Sequence, residues 1–367
     1  MTEVTNERKT TAREEAVFDR IEAFRRRRPR LIDEVVTLAH GAGGKASAAL
    51  LDAVFLPAFS GETRSEQTDA AVLPLPSGER VAFTTDSFVV KPLRFPGGSV
   101  GHLAVHGTIN DLAMVGATPL GLSAAFVLEE GLRIESLRDV VADMSEAAAA
   151  AGVPIVTGDT KVVDRGAADG MYISTSGVGV VPVGRQLAAT NVREGDVVIC
   201  SGTIANHGAA VMLARGDLQL DADIVSDTAP LHTLTDALFG AASSVRWMRD
   251  ATRGGLGTVC NELARDSQLT VVLDEGLLPV RPNVSAACEL LGIDPLYVAN
   301  EGVFVAVVAP EDADAAVDAL RSHPLGIDAV TIGDIRSEPP GIVVLVTEFG
   351  GTRIVDMLVG DPLPRIC

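Results

Sequence analysis

An α/β (α+β) fold of two domains follows from three features of the sequence. Strand-like and helix-like apolar segments interleave through both halves of the chain, the signature of layered α/β architecture. The length, 367 residues with 47% hydrophobic content, suits two domains or one large one, with enough apolar material for real cores. A polar, Gly- and Pro-containing break, "PVGRQLAATNVREGD", interrupts the pattern after residue 181 and places a boundary near residue 185.

The elements can be taken in order. Residues 1–30 carry nine basic and six acidic side chains, including "RRRRPR", against a formal net charge of −19 for the whole chain. That composition reads as a basic, poorly ordered extension. Residues 31–185 form the first domain. "RVAFTTDSFVV" reads as a strand. "SVGHLAVHGTINDLAMVGA" has apolar residues at helical spacing and is stopped by Gly116 and Pro119. "PLGLSAAFVL" is a strand, and "ESLRDVVADMSEAAAAAG" is an alanine-rich helix closed by Gly152. "VPIVTGDTKVV" reads as a strand running into a polar loop, and "MYISTSGVGVV" as another strand. Residues 186–358 form the second domain. It reads as a strand over 196–201, helices through Arg246, the Gly-rich loop "DATRGGLG" and the strand "LTVVLDE". A helix over 284–291, the strand "YVANEGVFVAVVA", the helix "DADAAVDAL" and the paired strands "AVTIGDI" and "GIVVLV" complete it. Residues 359–367, "GDPLPRIC" from Gly360, are expected to be a mobile extended tail, because Pro362 and Pro364 remove backbone donors and bias their neighbours away from helix.

Charge and composition exclude several functions. An acidic surface repels phosphate backbones, so nucleic acid is not an expected partner. No apolar run is long enough to span a bilayer and the N-terminus lacks a signal-peptide core, so no membrane association is expected. Cys200, Cys260, Cys288 and Cys367 lie far apart without C-x-x-C spacing. Sparse, unpaired thiols suit a reducing cytoplasm and argue against structural zinc.

The candidate chemistry lies in short motifs. "HGAGGKAS" approaches a phosphate-binding loop but fails its pattern, since Ala39 and Ala46 occupy two required positions. Its glycines, Gly43 and Gly44 among them, still permit close backbone approach to phosphate; the alternative is an ordinary turn. Asp69, Asp86, Asp111, Asp159 and Asp250 each adjoin small residues within or at the end of an apolar segment. Unpaired carboxylates are costly to bury, and several together suit Mg²⁺; singly, each suits a turn or helix cap. His102 and His106 share a helix face without the zinc-protease glutamate and read as surface or interface residues. Lys161, after "TGDT", could hold a phosphate or a developing negative oxygen, or form a surface ion pair. Glu301 interrupts an apolar run and is either paired or a base with a raised pKa. Cys367 ends the chain, with no residues after it for prenylation.

Taken in order, "HGAGGK", "DAAVL", "TTDSFVV", "GTINDLAMVGATPLGLS", "TGDTKVV", "DATRGGL", "ANEG" and the terminal "PRIC" resemble the HypE family of hydrogenase maturation proteins. That family lies within the superfamily of aminoimidazole ribonucleotide synthetase, selenophosphate synthetase and thiamine phosphate kinase. The resemblance runs from about residue 37 to Cys367. It implies a two-domain fold like aminoimidazole ribonucleotide synthetase, a homodimer paired through the first domains, and ATP with Mg²⁺ near that interface. It implies carbamoylation of Cys367 by the carbamoyltransferase HypF, ATP-dependent dehydration to a thiocyanate, and passage of the cyano group to iron on a HypC–HypD complex for [NiFe]-hydrogenase. Carried onto this sequence, it makes Cys367, Lys161 and Glu301 catalytic. Gly43, Gly44, Asp86, Asn110, Asp111, Gly158, Asp159 and Thr160 bind nucleotide, and Asp69, Asp86, Asp111 and Asp250 hold metal. The nearest alternative is a selenophosphate synthetase-like or other ATP-dependent synthetase. The former wants a cysteine or selenocysteine beside the N-terminal glycine loop, whereas the first cysteine here is Cys200; the others need no terminal thiol.

Overall fold

The computed structural model describes residues 30–59, 68–216, 223–358 and 366–367. The basic extension and most of the proline-containing tail fall outside the described residues. Among those described, no helix is long and apolar enough to cross a membrane.

The first half builds a five-stranded sheet in the order β1 (Ala71–Pro74), β2 (Arg80–Phe88), β7 (Met171–Val181), β5 (Thr118–Glu129), β6 (Ile155–Val163). Only the β5–β6 pair is parallel. The right-handed crossover rule for such pairs calls for a covering helix, and α3 (Ile134–Ala151) supplies it, ending at Gly152 as the sequence predicts. β7 alternates strictly between buried and accessible positions, so one face of the sheet meets the core and the other is open. On the covered face lies α2 (Val100–Met114), in which nearly every residue is buried. A helix apolar all round must be enclosed on all sides. α2 packs on β2, β5 and β7 of its own half and on β9 (Val245–Asp250) and α5 (His232–Ala241) of the other. It starts at Ser99, whose hydroxyl accepts the Gly101 N–H at 3.2 Å. Upstream lies the short helix α1 (Lys45–Leu50), and before α2 a two-stranded ribbon, β3 (Arg94–Phe95) and β4 (Gly98–Ser99).

The second half builds a seven-stranded sheet in the order β14 (Thr352–Val355), β13 (Val343–Val346), β10 (Thr270–Asp274), β12 (Val330–Arg336), β8 (Val197–Cys200), β11 (Phe304–Val308), β9. β11 is buried at every position. The helices of this half are α4 (Asn206–Arg215), α5, α6 (Gly255–Ser267), α7 (Pro282–Leu291) and α8 (Ala313–Arg321).

Several elements differ from the sequence expectation. Arg246 lies in β9, not at a helix end. The strands expected to pair, β12 and β13, are separated by β10, antiparallel to the first and parallel to the second; strand neighbours depend on tertiary packing that local pattern does not carry. The "TGDTK" stretch belongs to β6 rather than to a loop. The apolar run 297–309 is strand only from Phe304. Asn300 diverts the preceding backbone: its side chain accepts the Ala205 N–H at 2.7 Å and donates to the Ala251 and Val298 carbonyls at 2.7 and 3.1 Å. His106 is buried between the halves, with Nδ1 3.0 Å from Thr228 Oγ1.

Candidate active site between the two halves

Carboxylates from both halves converge between the two sheets. Along β2, Ala82, Thr84 and Phe88 face the core, and strand alternation turns Asp86 to that same side. Asp111 comes from the last turn of α2, Asp69 from the segment before β1, and Asp250 from the end of β9. One oxygen each of Asp69, Asp111 and Asp250 lies within 4.8 Å of the others. The Thr84 hydroxyl sits 2.6 Å from Asp111 Oδ2 and 3.0 Å from the Asp69 carbonyl. Arg249 Nε is 2.9 Å from Asp69 Oδ1, and its guanidinium also meets Glu262 at 3.2 Å.

Burial and mutual repulsion act in one direction here. Burial, then the Asp69 carboxylate, holds Asp250 well above the ordinary range against the opposing pull of Arg249. Burial, then Asp250, does the same to Asp111. Asp69 is pushed up to about 6, mainly by burial, with Arg249 opposing. Asp86 is also raised by burial, while Arg253 and the Ser87 N–H oppose the rise. Asp69 already has Arg249 as its counter-ion, whereas Asp111 and Asp250 need protons or a hard cation at neutral pH, and the all-oxygen donor set fits Mg²⁺.

Arg253 follows this cluster in the turn before α6. Its Nη1 donates to the Gly41 carbonyl at 2.9 Å. Gly43, with φ +77°, lies so close that a Cβ there would stand 2.9 Å from the Arg253 carbonyl oxygen. Lys45 N–H donates to the Leu358 carbonyl at 3.0 Å, and its Nζ pairs with Asp356 at 2.7 Å. The glycine loop holding Gly43 and Gly44 therefore ties the first half to Arg253 and to the last residues before the tail.

Cys367 closes the same site. Its carbonyl accepts the Val89 N–H at 3.2 Å, three residues past Asp86. Its thiol is held well above its usual range, first by burial and then by Glu301, while Arg253 opposes. Glu301 is itself 3% exposed. Its carboxyl is driven well up by burial, then by Asp250, Asp227 and Asp86. Its Oε1 is buried without a hydrogen-bond partner among the described residues. Asp227 Oδ2 accepts the backbone N–H groups of Glu301 and Gly302 at 3.2 and 3.1 Å. A Cβ at Gly302 would meet the Asp227 carbonyl oxygen at 1.8 Å, so only glycine permits this approach.

The other expected residues sit elsewhere. Asn110 is buried and fully engaged with backbone of the second half: it donates to the Ala229 and Glu301 carbonyls and accepts the Leu231 N–H. Gly158, Asp159, Thr160 and Lys161 lie on the edge strand β6, where Lys161 Nζ pairs with Asp159 at 2.8 Å. The register runs from Ser87 through Ser174 and Ala125 to Asp159. That is three strand spacings, about 14 Å, so one chain does not bring Lys161 to the carboxylates. Gly158, Asp159 and Thr160 instead border a cavity of about 950 Å³ shared with Phe126, Met144 and Gly152. Sequence reasoning left Arg253, Asp227, Thr84 and His207 unassigned. Arg253 and Thr84 had a signal, their places within "DATRGGL" and "TTDSFVV".

The two sheets and the carboxylate cluster between them define a two-domain protein of the AIR synthase related class. The AIR synthase related N-terminal domain matches residues 67–181, and the corresponding C-terminal domain matches residues 193–346. The carbamoyl dehydratase HypE of Rhodobacter capsulatus is 53% identical over 338 residues, spanning 92% of this chain and 99% of that protein. The chain belongs to the HypE carbamoyl dehydratase family. Similar solved structures include a HypE–HypF complex, with TM-score 0.80 and 46% identity, covering 84% of this chain and 100% of that one. HypE in complex with ATP has TM-score 0.76 and 43% identity, covering 91% of this chain and 100% of that one.

Proposed function

We propose that this chain dehydrates an S-carbamoyl group on its own Cys367 to a thiocyanate at the expense of ATP, supplying the cyano ligand of [NiFe]-hydrogenase iron. The observation that carries this reading is the seat of the chain's last residue: the Cys367 carbonyl accepts the Val89 N–H, and its thiol lies among Glu301, Arg253 and Asp86. A HypE relative solved with ATP supports the nucleotide. A HypE–HypF complex supports HypF as the carbamoyl donor, and a HypC–HypD complex is the proposed acceptor, in the cytoplasm.

The reaction balances as follows. The carbamoyl oxygen attacks the γ-phosphorus of ATP, ADP leaves and one N–H proton is lost. The carbon–oxygen bond then breaks with departure of phosphate, the second N–H proton is removed, and S–C≡N remains. A carboxylate raised by burial is a strong base once ionised, which suits Glu301 to accept an N–H proton. Arg253 faces the same thiol and would hold negative charge on the reacting group. Asp69, Asp111 and Asp250, with Asp86 beside them, would hold Mg²⁺, which supplies charge neutralisation for phosphoryl transfer.

Lys161, Gly158, Asp159 and Thr160 enter through a second copy. Among the described residues β6 is a sheet edge with Val156 and Val162 exposed, and such an edge invites pairing. We infer a homodimer through the first domains (31–185), in which one protomer's β6 completes the nucleotide site of the other; residues 186–358 and the tail supply Asp250, Glu301 and Cys367. Intact-mass spectrometry after incubation with HypF, carbamoyl phosphate and ATP tests the reading. A carbamoyl adduct on the C-terminal peptide that loses one water only with ATP, and is missing in Cys367→Ala, is expected. An adduct that persists with ATP leaves a carrier without dehydratase chemistry and overturns it.

A further inference from the structure

His207 is completely buried on the first turn of α4, and both ring nitrogens are engaged. Nε2 lies 2.8 Å from the carbonyl oxygen of Ile366, and Nδ1 lies 2.8 Å from Ser226 Oγ. A carbonyl oxygen only accepts, so Nε2 carries a proton. Burial lowers His207 to about 4, so the ring is neutral and Nδ1 is the acceptor of the Ser226 hydroxyl. Ser226 Oγ in turn accepts the Thr228 N–H at 3.1 Å. The result is a directed chain from Thr228 N–H through Ser226 and His207 to the penultimate carbonyl of the protein, and it fixes the imidazole tautomer.

The surroundings of this chain are packed and hydrogen-bonded. Ser226 N–H donates to the Pro96 carbonyl at 2.8 Å, docking the loop on the β3–β4 ribbon. Phe95 meets the His207 ring edge-on, with centroids 5.3 Å apart. The Ile366 side chain is 3% exposed within the core cluster that contains Phe95. Two successive carbonyls are thus held: Ile366 by His207 and Cys367 by Val89. The residue after Ser226 is Asp227, which carries the backbone of Glu301 and Gly302. One short loop therefore fixes both the end of the tail and the carboxylate facing its thiol.

We propose that His207, set by Ser226, is a latch for the C-terminal dipeptide: it accepts an apolar penultimate residue, holds that residue's carbonyl, and so sets the terminal thiol in register with Glu301. This assignment rests on Cys367 being the substrate carrier. His207 acts as a positioning residue and takes no part in bond making.

The test uses the full-length protein and the alkylation rate of Cys367, followed on the C-terminal peptide by mass spectrometry. Cys200, Cys260 and Cys288 are buried and serve as internal controls for the integrity of the fold. His207→Phe keeps a ring against Phe95 and removes the donor. It is expected to raise Cys367 labelling about tenfold, the equilibrium weight of one buried hydrogen bond. His207→Gln restores an N–H near the Nε2 position and is expected to return the rate to within about threefold of wild type. Ile366→Ser probes the same seat from the tail side and is expected to match His207→Phe with the control cysteines unchanged. If Ile366→Ser labels like wild type, or if His207→Gln labels like His207→Phe, the latch is overturned. Labelling needs no carbamoyl group, so the two readings fail separately. A wild type that never loses water while the labelling pattern holds removes the dehydratase and leaves a docked tail.

Discussion

Asn110 offers a measurement that separates structure from nucleotide chemistry. Its side chain is 1% exposed. It donates to the Ala229 carbonyl at 3.1 Å and the Glu301 carbonyl at 3.3 Å, and accepts the Leu231 N–H at 2.7 Å. All three partners belong to the second half of the chain, so Asn110→Ala strands two carbonyls and one N–H between the halves. Each orphaned buried group costs about 1–3 kcal/mol. Taking the low end for each, because water can enter the space vacated, the loss is about 3 kcal/mol. Unfolding entropy scales at about 2.1 cal/mol/K per residue, so a cooperative chain of this length loses about 4 °C in Tm. The assay is calorimetry without nucleotide or metal. Asn110→Asp should also melt below wild type, since it keeps an acceptor for Leu231 but sets an oxygen against two carbonyls. If nucleotide-free Asn110→Ala melts with wild type and only ATP affinity suffers, Asn110 serves the nucleotide and the bridging argument is wrong.

Two further outcomes follow from the site. Asp69, Asp111 and Asp250 are raised above their ordinary range, so above that range the folded protein binds more protons than the unfolded chain, and stability falls as pH rises. For Asp69 the fall spans 3.8 to about 6, and Asp111 and Asp250 extend it upward. Melting in EDTA should decline across this window, and Mg²⁺ should restore more stability at pH 7.5 than at pH 5; a flat EDTA profile would show that the triad is not strained. The second outcome concerns Lys161. Lys161→Ala and Glu301→Gln should each abolish ATP-dependent water loss. Unfolded and refolded together at equal amounts, they should recover about a quarter of wild-type dehydration, because about half the dimers are mixed and one of their two sites is intact. No recovery would place Lys161 in the same chain's site.

What the sequence disclosed, and what it hid, divides along the range of the interactions. Asp69, Asp86, Asp111 and Asp250 were legible because a carboxylate among small and apolar residues carries a burial cost that something must offset. The alternation of β2 even fixes the side on which Asp86 lies. α2 and α3 were legible because their stop signals are local. The run around Glu301 misled because its composition is that of a strand, while Asn300 and Gly302 answer to Ala205, Ala251 and Asp227, all far away in the chain. His207 was invisible for the same reason. In "NHGAAV" it is an ordinary helix residue, and its partner lies 159 positions downstream.

That long-range contact also bears on how tightly the chain's end is held. The described dipeptide gains two backbone hydrogen bonds, about 1 kcal/mol each, and one buried Ile, about 2–3 kcal/mol. Against this stands the ordering of two residues, about 1–2 kcal/mol each for backbone and about 1 kcal/mol for the Ile side chain. The upper end of that balance leaves the docked state favoured by about 2 kcal/mol, which is what a tenfold response to losing the His207 bond requires. A carrier thiol must meet a donor outside and a buried base inside, and the docked thiol, driven well up by burial and by Glu301, is a poor nucleophile where it sits. A shallow seat suits that cycle: loading occurs from the released state, while His207 restores the same register on each return. A much tighter seat would block loading. A seat without the His207 bond would leave the carbamoyl group away from Glu301 for a substantial share of the time.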